Sequence, residues 1–279
     1  MIVDSHVHFW QIARGDYDWM TGPGTEGLAP IKRDFGATDL RPLIRDAGVD
    51  RVILVQAAAT VAESAFLLQQ AEATPEVAGV VGWVAMDTPQ AAADLERLAA
   101  NPLFKGVRPM IHDIPDTDWM LQPSLNDAFR AIQERDLAFD CLVRPAHLAN
   151  LLILLRRHPD LRAVICHGAK PEIAAGAFDD WAEAMARLAK ETGAFCKLSG
   201  LITEAGADWS VDGLRPYVDH LLAVFGPERL IWGSDWPVLS LTAGYGDWWQ
   251  AVGTLLAGLT EAQKAQVLGD NACRVYRIQ

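Results

Sequence analysis

Two histidines stand two residues apart near the start of the chain, His6-Val7-His8, closing a short apolar run. A third, His167, follows Val164-Ile165-Cys166, and Asp235 sits inside Trp232-Gly233-Ser234-Asp235-Trp236-Pro237. Imidazole and carboxylate can bind a divalent ion, polarise a carbonyl or move a proton at neutral pH. If the first run is a strand, His6 and His8 point to one side, because side chains alternate. Two more runs end in arginine then proline, Gly106-Val107-Arg108-Pro109 and Leu142-Val143-Arg144-Pro145. A guanidinium there can hydrogen-bond a carbonyl, hydroxyl or carboxylate of a ligand. Plainer uses exist for each: satisfied strand-end histidines, a helix cap for Asp235, a loop ion pair for Arg144. His158 and His220 lie within or at the end of helical patterns and are expected at the surface.

Elements that repeat along the chain would bring these residues together. Short runs rich in apolar and β-branched residues recur at 2–8, 51–56, 77–84, 104–108, 137–143, 161–166, 194–199 and 229–233, each followed by an amphipathic stretch. Helix starts are marked by Thr88-Pro89 before AAADLERLAA and by Pro145 before AHLANLLILLRRH. Strand and helix therefore alternate, which demands parallel strands with crossover helices, and eight such units close a (β/α)₈ TIM barrel. An open doubly wound sheet is the alternative, weakened by the lack of a GxGxxG turn after the first strand. With no linker or repeat, residues 1–279 read as a single barrel domain, and 260–277 as an extra C-terminal helix. In a barrel the C-terminal strand ends build the active site, and His6, His8, Arg108, Arg144, His167 and Asp235 all fall there.

Composition narrows the partners. The 279 residues are 51% hydrophobic and 22% charged, as in an ordinary globular chain, and carry a formal net charge of −12. A field of that sign repels phosphate backbones and anionic lipid, so neither nucleic acid nor membrane is an expected partner. No basic and apolar leader opens the sequence, and no run approaches a membrane span, so a cytoplasmic location is expected. Cys141, Cys166, Cys196 and Cys273 are widely spaced without a CxxC pair and read as buried free thiols.

The ordered set of HxH on the first strand, CHGAKP after the sixth, CKLSGL on the seventh and IWGSDWP on the eighth resembles the amidohydrolase superfamily. More narrowly it is similar to the amidohydrolase-related branch of sugar lactonases, L-fuconolactonase-like enzymes and 2-pyrone-4,6-dicarboxylate lactonase. The segments HFWQIARGDYDWM and DWMLQPSLNDAFRAI extend the likeness, which runs from about Ile2 to Asn271. The resemblance implies a (β/α)₈ barrel that hydrolyses a lactone, with His6, His8, His167 and Asp235 matching the site positions. Departures matter as well. Where the wider superfamily completes a two-metal centre with a fourth-strand lysine or glutamate or a fifth-strand histidine, this chain has Arg108 and Arg144. The related sequences often carry Asp before the sixth-strand histidine and His after the fourth-strand arginine, where Cys166 and Pro109 stand here.

The leading expectation is a hydrolase that opens a sugar (aldono) lactone. Asp235 serves as base and then acid, with His167 and Arg108 polarising the carbonyl and His6, His8, Arg144, Trp10, Trp19 and Trp236 binding substrate. Tyr17 and Trp119 also sit in loops after strand ends, where flat rings can cover a sugar. At most one divalent ion, zinc before others, is expected on His6, His8 and Asp235, and a metal-free site is the other option. Few basic residues at the mouth favour a neutral hydroxylated ring over a dicarboxylate. Alternatives are a pyrone-dicarboxylate lactonase, a metal-dependent decarboxylase of the same superfamily and a non-catalytic ligand-binding barrel.

Overall fold

In the computed structural model of the chain, which describes residues 1–278, eight parallel strands form one sheet in the order of the sequence. They are β1 (Val3–Val7), β2 (Arg51–Val55), β3 (Val77–Gly82), β4 (Phe104–Val107), β5 (Ala138–Cys141), β6 (Arg162–Ile165), β7 (Phe195–Leu198) and β8 (Leu230–Trp232). Runs such as Val52-Ile53-Leu54-Val55 are buried throughout, as a sheet covered on both faces requires. The ring closes where Val7 bridges Trp236 in parallel and the His8 amide donates to the Trp236 carbonyl at 2.8 Å. This is the TIM barrel that the alternating pattern implies. Each strand is shorter than its apolar run, because the last residues of the run leave the ladder to form the mouth.

Helices α1 (Ala37–Ala47), α2 (Val61–Glu72), α3 (Ala91–Ala99), α4 (Asn126–Glu134), α5 (Leu148–Arg157), α6 (Asp179–Glu191), α7 (Leu201–Ala205), α8 (Val211–Phe225) and α9 (Tyr245–Leu255) fill the crossovers. Thr60 and Ser210 cap α2 and α8 by accepting from the amides of Glu63 and Gly213. Thr88 does not cap α3 as the sequence suggests; its hydroxyl donates back to the Ala85 carbonyl at 2.8 Å and the helix begins at Ala91. Among the described residues no helix is long and apolar enough to cross a membrane.

The C-terminal segment is helical, as expected, but interrupted: α10 (Glu261–Ala265), a π turn (Gln266–Asp270) and α11 (Asn271–Tyr276). Ala272, Val275 and Tyr276 join Val3, Ile53, Val55, Val81, Ala138, Val164 and Ile231 in one apolar cluster, so α11 packs against the inward side chains of the strands. Burying a Val or Ile of this kind contributes about 1.5–3 kcal/mol. The register of β1 against β2 shifts between Asp4 and Val7. That irregularity changes the parity of the strand, so Val3 points into the inner cluster and His6 and His8 also point inward above it.

Candidate active site

The mouth gathers His6, His8, His167, Asp235 and Arg108, all 6% exposed or less. Asp235 Oδ1 lies 3.3 Å from His8 Nε2, 3.6 Å from His6 Nε2 and 3.8 Å from His167 Nε2. One carboxylate oxygen is thus ringed by three imidazole nitrogens from two strand ends, those of β1 and β6. His8 Nδ1 lies 2.7 Å from the Val55 carbonyl, and His167 Nδ1 lies 2.8 Å from Ser199 Oγ. Arg108 places Nη1 3.3 Å from His6 Nε2 and donates from Nη2 to the Gln56 carbonyl; its buried Nε has no partner. Gln56 returns a bond to the Arg108 carbonyl at 2.6 Å, which locks the arginine into the wall.

Local backbone geometry presents these groups. His167 and Asp235 sit at φ of 54° and 63°, in the left-handed region that an L-residue enters at a cost. Two glycines admit the imidazoles: a Cβ on Gly200 would meet His167 Nδ1 at 2.6 Å, and one on Gly233 would meet His6 Cβ at 2.8 Å. The bare backbone of Gly233 thus makes room for a site histidine. Burial pushes the pKa values of His6, His8 and His167 below the ordinary imidazole value; Lys197 adds to the effect at His6. Burial alone would raise Asp235, but His167, His8 and Lys170 outweigh it and bring the carboxyl to about 2. The centre therefore holds an ionised carboxylate among largely neutral imidazoles.

Above this floor is a cavity of about 240 Å³ lined by Trp10, Trp19, Met110, His112, Asp113 and Lys170 together with His8, Arg108, His167 and Asp235, while His6 lies just beneath the lining. That is the liquid volume of about eight waters at ~30 Å³ each, room for one small ring. Lys170 is paired with Glu204. Of the expected ligand-binding residues, Trp10 and Trp19 do reach the cavity; Trp10 Nε1 is tied to the Arg33 carbonyl and Trp19 Nε1 to that of Ala57. Trp236 does not: it is buried between Phe9 and Phe35, because its strand-end position turns the ring toward the first loop. Arg144 is exposed and lies off the cavity lining, where it acts on His112 and Asp113 only through its charge. Tyr17 and Trp119 are anchors, bonded to Glu63 and Asp87. His158 and His220 are half-buried against Phe129 and Trp181 rather than on the surface.

Several residues about the site were not singled out from the sequence. His112 faces the cavity with a buried, unpartnered Nδ1; burial and then Arg108, Lys170 and Arg144 hold its pKa down at about 3. Asp4 accepts from the Ser234 and His6 amides and from Tyr245 Oη, stitching β1 to the Asp235 loop. Glu63 holds the first loop by accepting from Tyr17 Oη at 2.9 Å and from the Ala57 amide at 3.1 Å. Beneath His6 lie Lys197 and Asp140, both fully buried and 2.7 Å apart. The available signal was a charged residue in the middle of an otherwise apolar strand, in Phe195-Cys196-Lys197-Leu198 and in Ala138-Phe139-Asp140-Cys141. All four thiols are free; Cys273 is only half-buried, and burial holds Cys166 up at about 12, which leaves it an inert neighbour of Asp140.

An eight-stranded barrel with a histidine pair on the first strand and an aspartate after the eighth defines a class of barrel hydrolases. The chain matches the amidohydrolase family over residues 3–278 and belongs to it. An L-fucono-1,5-lactonase of Burkholderia ambifaria is 45% identical over 99% of this chain and 95% of its own length. A second L-fucono-1,5-lactonase, from Burkholderia multivorans, is 33% identical over 99% of this chain and 96% of its own. A zinc-bound amidohydrolase crystal structure from Burkholderia multivorans superposes with a TM-score of 0.93 at 32% identity, covering both chains in full. In the present chain, ligand-type atoms of His6, His167 and Asp235 all lie within 4.8 Å of one another, a spacing that can hold a metal ion.

Proposed function

We propose that this protein is a sugar lactonase that adds water to a neutral aldonolactone and releases the aldonic acid. The observation that carries the reading is the ionised Asp235, ringed by three imidazoles and facing a cavity with little net charge. Arg108 is the one lining cation without a carboxylate partner, since Lys170 is paired with Glu204 and Asp113 adds a negative charge. A dicarboxylate would need more cations than that. The ring of Trp19, backed by the fully buried Trp10, offers an apolar face for the C–H side of a sugar, and His112 offers a polar edge for its hydroxyls. The L-fucono-1,5-lactonase relatives support the same substrate class, with fucono-, rhamnono- and galactonolactones as the first members to test.

In this reading Asp235 orients a water and takes one of its protons as the oxygen attacks the lactone carbonyl. Charge develops on the carbonyl oxygen, where Arg108 and the imidazole N–H groups stabilise it. Collapse breaks the bond from the acyl carbon to the ring oxygen, and Asp235 returns its proton to the departing alkoxide. A carboxylate of low basicity suffices because a lactone is a reactive ester. Asp235 and His8 also offer two ligands to a divalent ion: the bond of His8 Nδ1 to the Val55 carbonyl leaves the Nε2 lone pair 3.3 Å from Asp235 Oδ1. Bound there, an ion such as zinc would act as a Lewis acid on the carbonyl.

The test is kcat/KM across lactones of differing stereochemistry and ring size, with the pyrone dicarboxylate beside them and with chelator present or absent. Aldonolactones are expected to be preferred. A tenfold or greater preference for the dicarboxylate, about 1.4 kcal/mol in transition-state binding, would overturn the assignment.

A further inference from the structure

Lys197 is completely buried under His6, and its ammonium has three acceptors within reach: Asp140 Oδ2 at 2.7 Å, the Ser5 carbonyl at 3.1 Å and His6 Nδ1 at 3.1 Å. An ammonium has three hydrogens and no lone pair, so toward Nδ1 it can only donate. Asp140 Oδ2 is the nearest of the three acceptors. Tyr276 Oη, from α11, lies 2.9 and 3.0 Å from the two Asp140 oxygens, and Cys166 Sγ lies 3.8 Å from one of them. A neutral imidazole has one N–H and one lone pair. With the lone pair of His6 committed below, its hydrogen must sit on Nε2, which faces two residues of the cavity lining, Arg108 and Asp235.

The groups above agree with that. The neighbour of Nε2 at 3.3 Å is Arg108 Nη1, another group with hydrogens and no lone pair. Asp235 Oδ1, at 3.6 Å, is beyond a good hydrogen bond. Two N–H donors therefore stand side by side without an acceptor between them, the arrangement that a developing oxyanion fills. His8, two residues along the same strand, is the opposite case. Its Nδ1 is 2.7 Å from a carbonyl oxygen that can only accept, so its hydrogen is on Nδ1 and its lone pair on Nε2.

We propose that Lys197 is a positioning residue that fixes the Nε2–H tautomer of His6, so that His6 and Arg108 together donate to the reacting carbonyl oxygen while His8 presents a lone pair. Resting on the lactonase reading for its kinetic arm, this assigns opposite hydrogen-bonding roles to two histidines of one strand. Asp140 and Tyr276 act one step further away by holding the ammonium in place.

Two measurements test it. Nitrogen-15 spectra of histidine-labelled wild-type protein, assigned by the loss of signals in His6→Gln and His8→Gln, read the tautomers directly. His6 is expected to show a protonated Nε2 and an unprotonated Nδ1, and His8 the reverse. A His6 that carries its hydrogen on Nδ1, or on both nitrogens, overturns the proposal. In the kinetic arm, Lys197→Met is expected to lower kcat by about 10²-fold with KM changed less than threefold, the loss of one oriented donor. A folded Lys197→Met with kcat within twofold of wild type also overturns it. If that variant does not fold, the wild-type spectra alone decide. Absence of lactone turnover by wild-type enzyme would refute the lactonase reading, while the spectra would still settle the tautomer.

Discussion

The floor of the cavity and its rim are assembled differently. The floor residues His6, His8, Arg108, His167 and Asp235 all come from strand ends and are nearly inaccessible to water. Their positions are held by long-range bonds such as that from the Asp235 amide to the His6 carbonyl at 2.8 Å. Trp19, His112, Asp113 and Lys170 on the rim come from loops and are partly open, and Arg144 stands in solvent. The difference teaches where each property resides. A reacting centre that must hold its atoms to fractions of an ångström is built on the ladder, whereas the selection of a substrate is left to segments that can change without disturbing it.

That division can be broken by experiment. The largest effect is expected from Asp235→Asn, which removes the group that takes and returns the proton; kcat should fall on the order of 10³-fold or more in a protein with an unchanged circular dichroism spectrum. Activity near wild type would remove the floor from the chemistry altogether. Arg108→Met should lower kcat by about 10²-fold, as for the loss of one oxyanion donor, and Arg108→Lys should restore it only in part because the bond to the Gln56 carbonyl needs the fork of a guanidinium.

On the rim the change should appear in KM. Trp19→Ala is expected to raise KM about tenfold, roughly 1.4 kcal/mol, with kcat within threefold. A collapse of kcat instead would show that the rim takes part in the reaction. The smallest effect concerns His112, whose folded pKa of about 3 lies below the ordinary imidazole value of 6.5. A group depressed in this way stabilises the fold fully above pH 6.5 and loses that contribution as pH falls toward 3. Thermal melts from pH 8 to pH 5.5 should therefore show His112→Gln losing about 1 kcal/mol less stability than wild type. Parallel melting curves would place His112 in water rather than in the wall.

Reading the chain alone recovers the barrel because each strand announces itself locally, as in Arg51-Val52-Ile53-Leu54-Val55. His6, His8, His167 and Asp235 are legible for the same reason: barrel topology places any strand-end residue at the mouth. The ring orientation of Trp236 is not legible, because the packing of Phe35 from a distant loop decides it. Nor is the role of Lys197, since its partners Asp140 and Ser5, and the Tyr276 that bonds Asp140, come from three separate parts of the chain and meet only when the barrel is closed. His112 is hidden by the four-residue offset that the loop after Arg108 introduces. Thr88-Pro89 misleads because a hydroxyl that can cap a helix can equally bond the carbonyl three residues back.

The left-handed backbone at His167 and Asp235 sets the interests of the enzyme against those of the fold. Each non-glycine residue held there costs roughly 1–2 kcal/mol. A chain freed from the need to turn over substrate would relieve that backbone cost with Gly at 235. Heat selection without a requirement for activity should therefore enrich inactive, higher-melting variants at that position, so a search for a more durable catalyst must screen for turnover in every round.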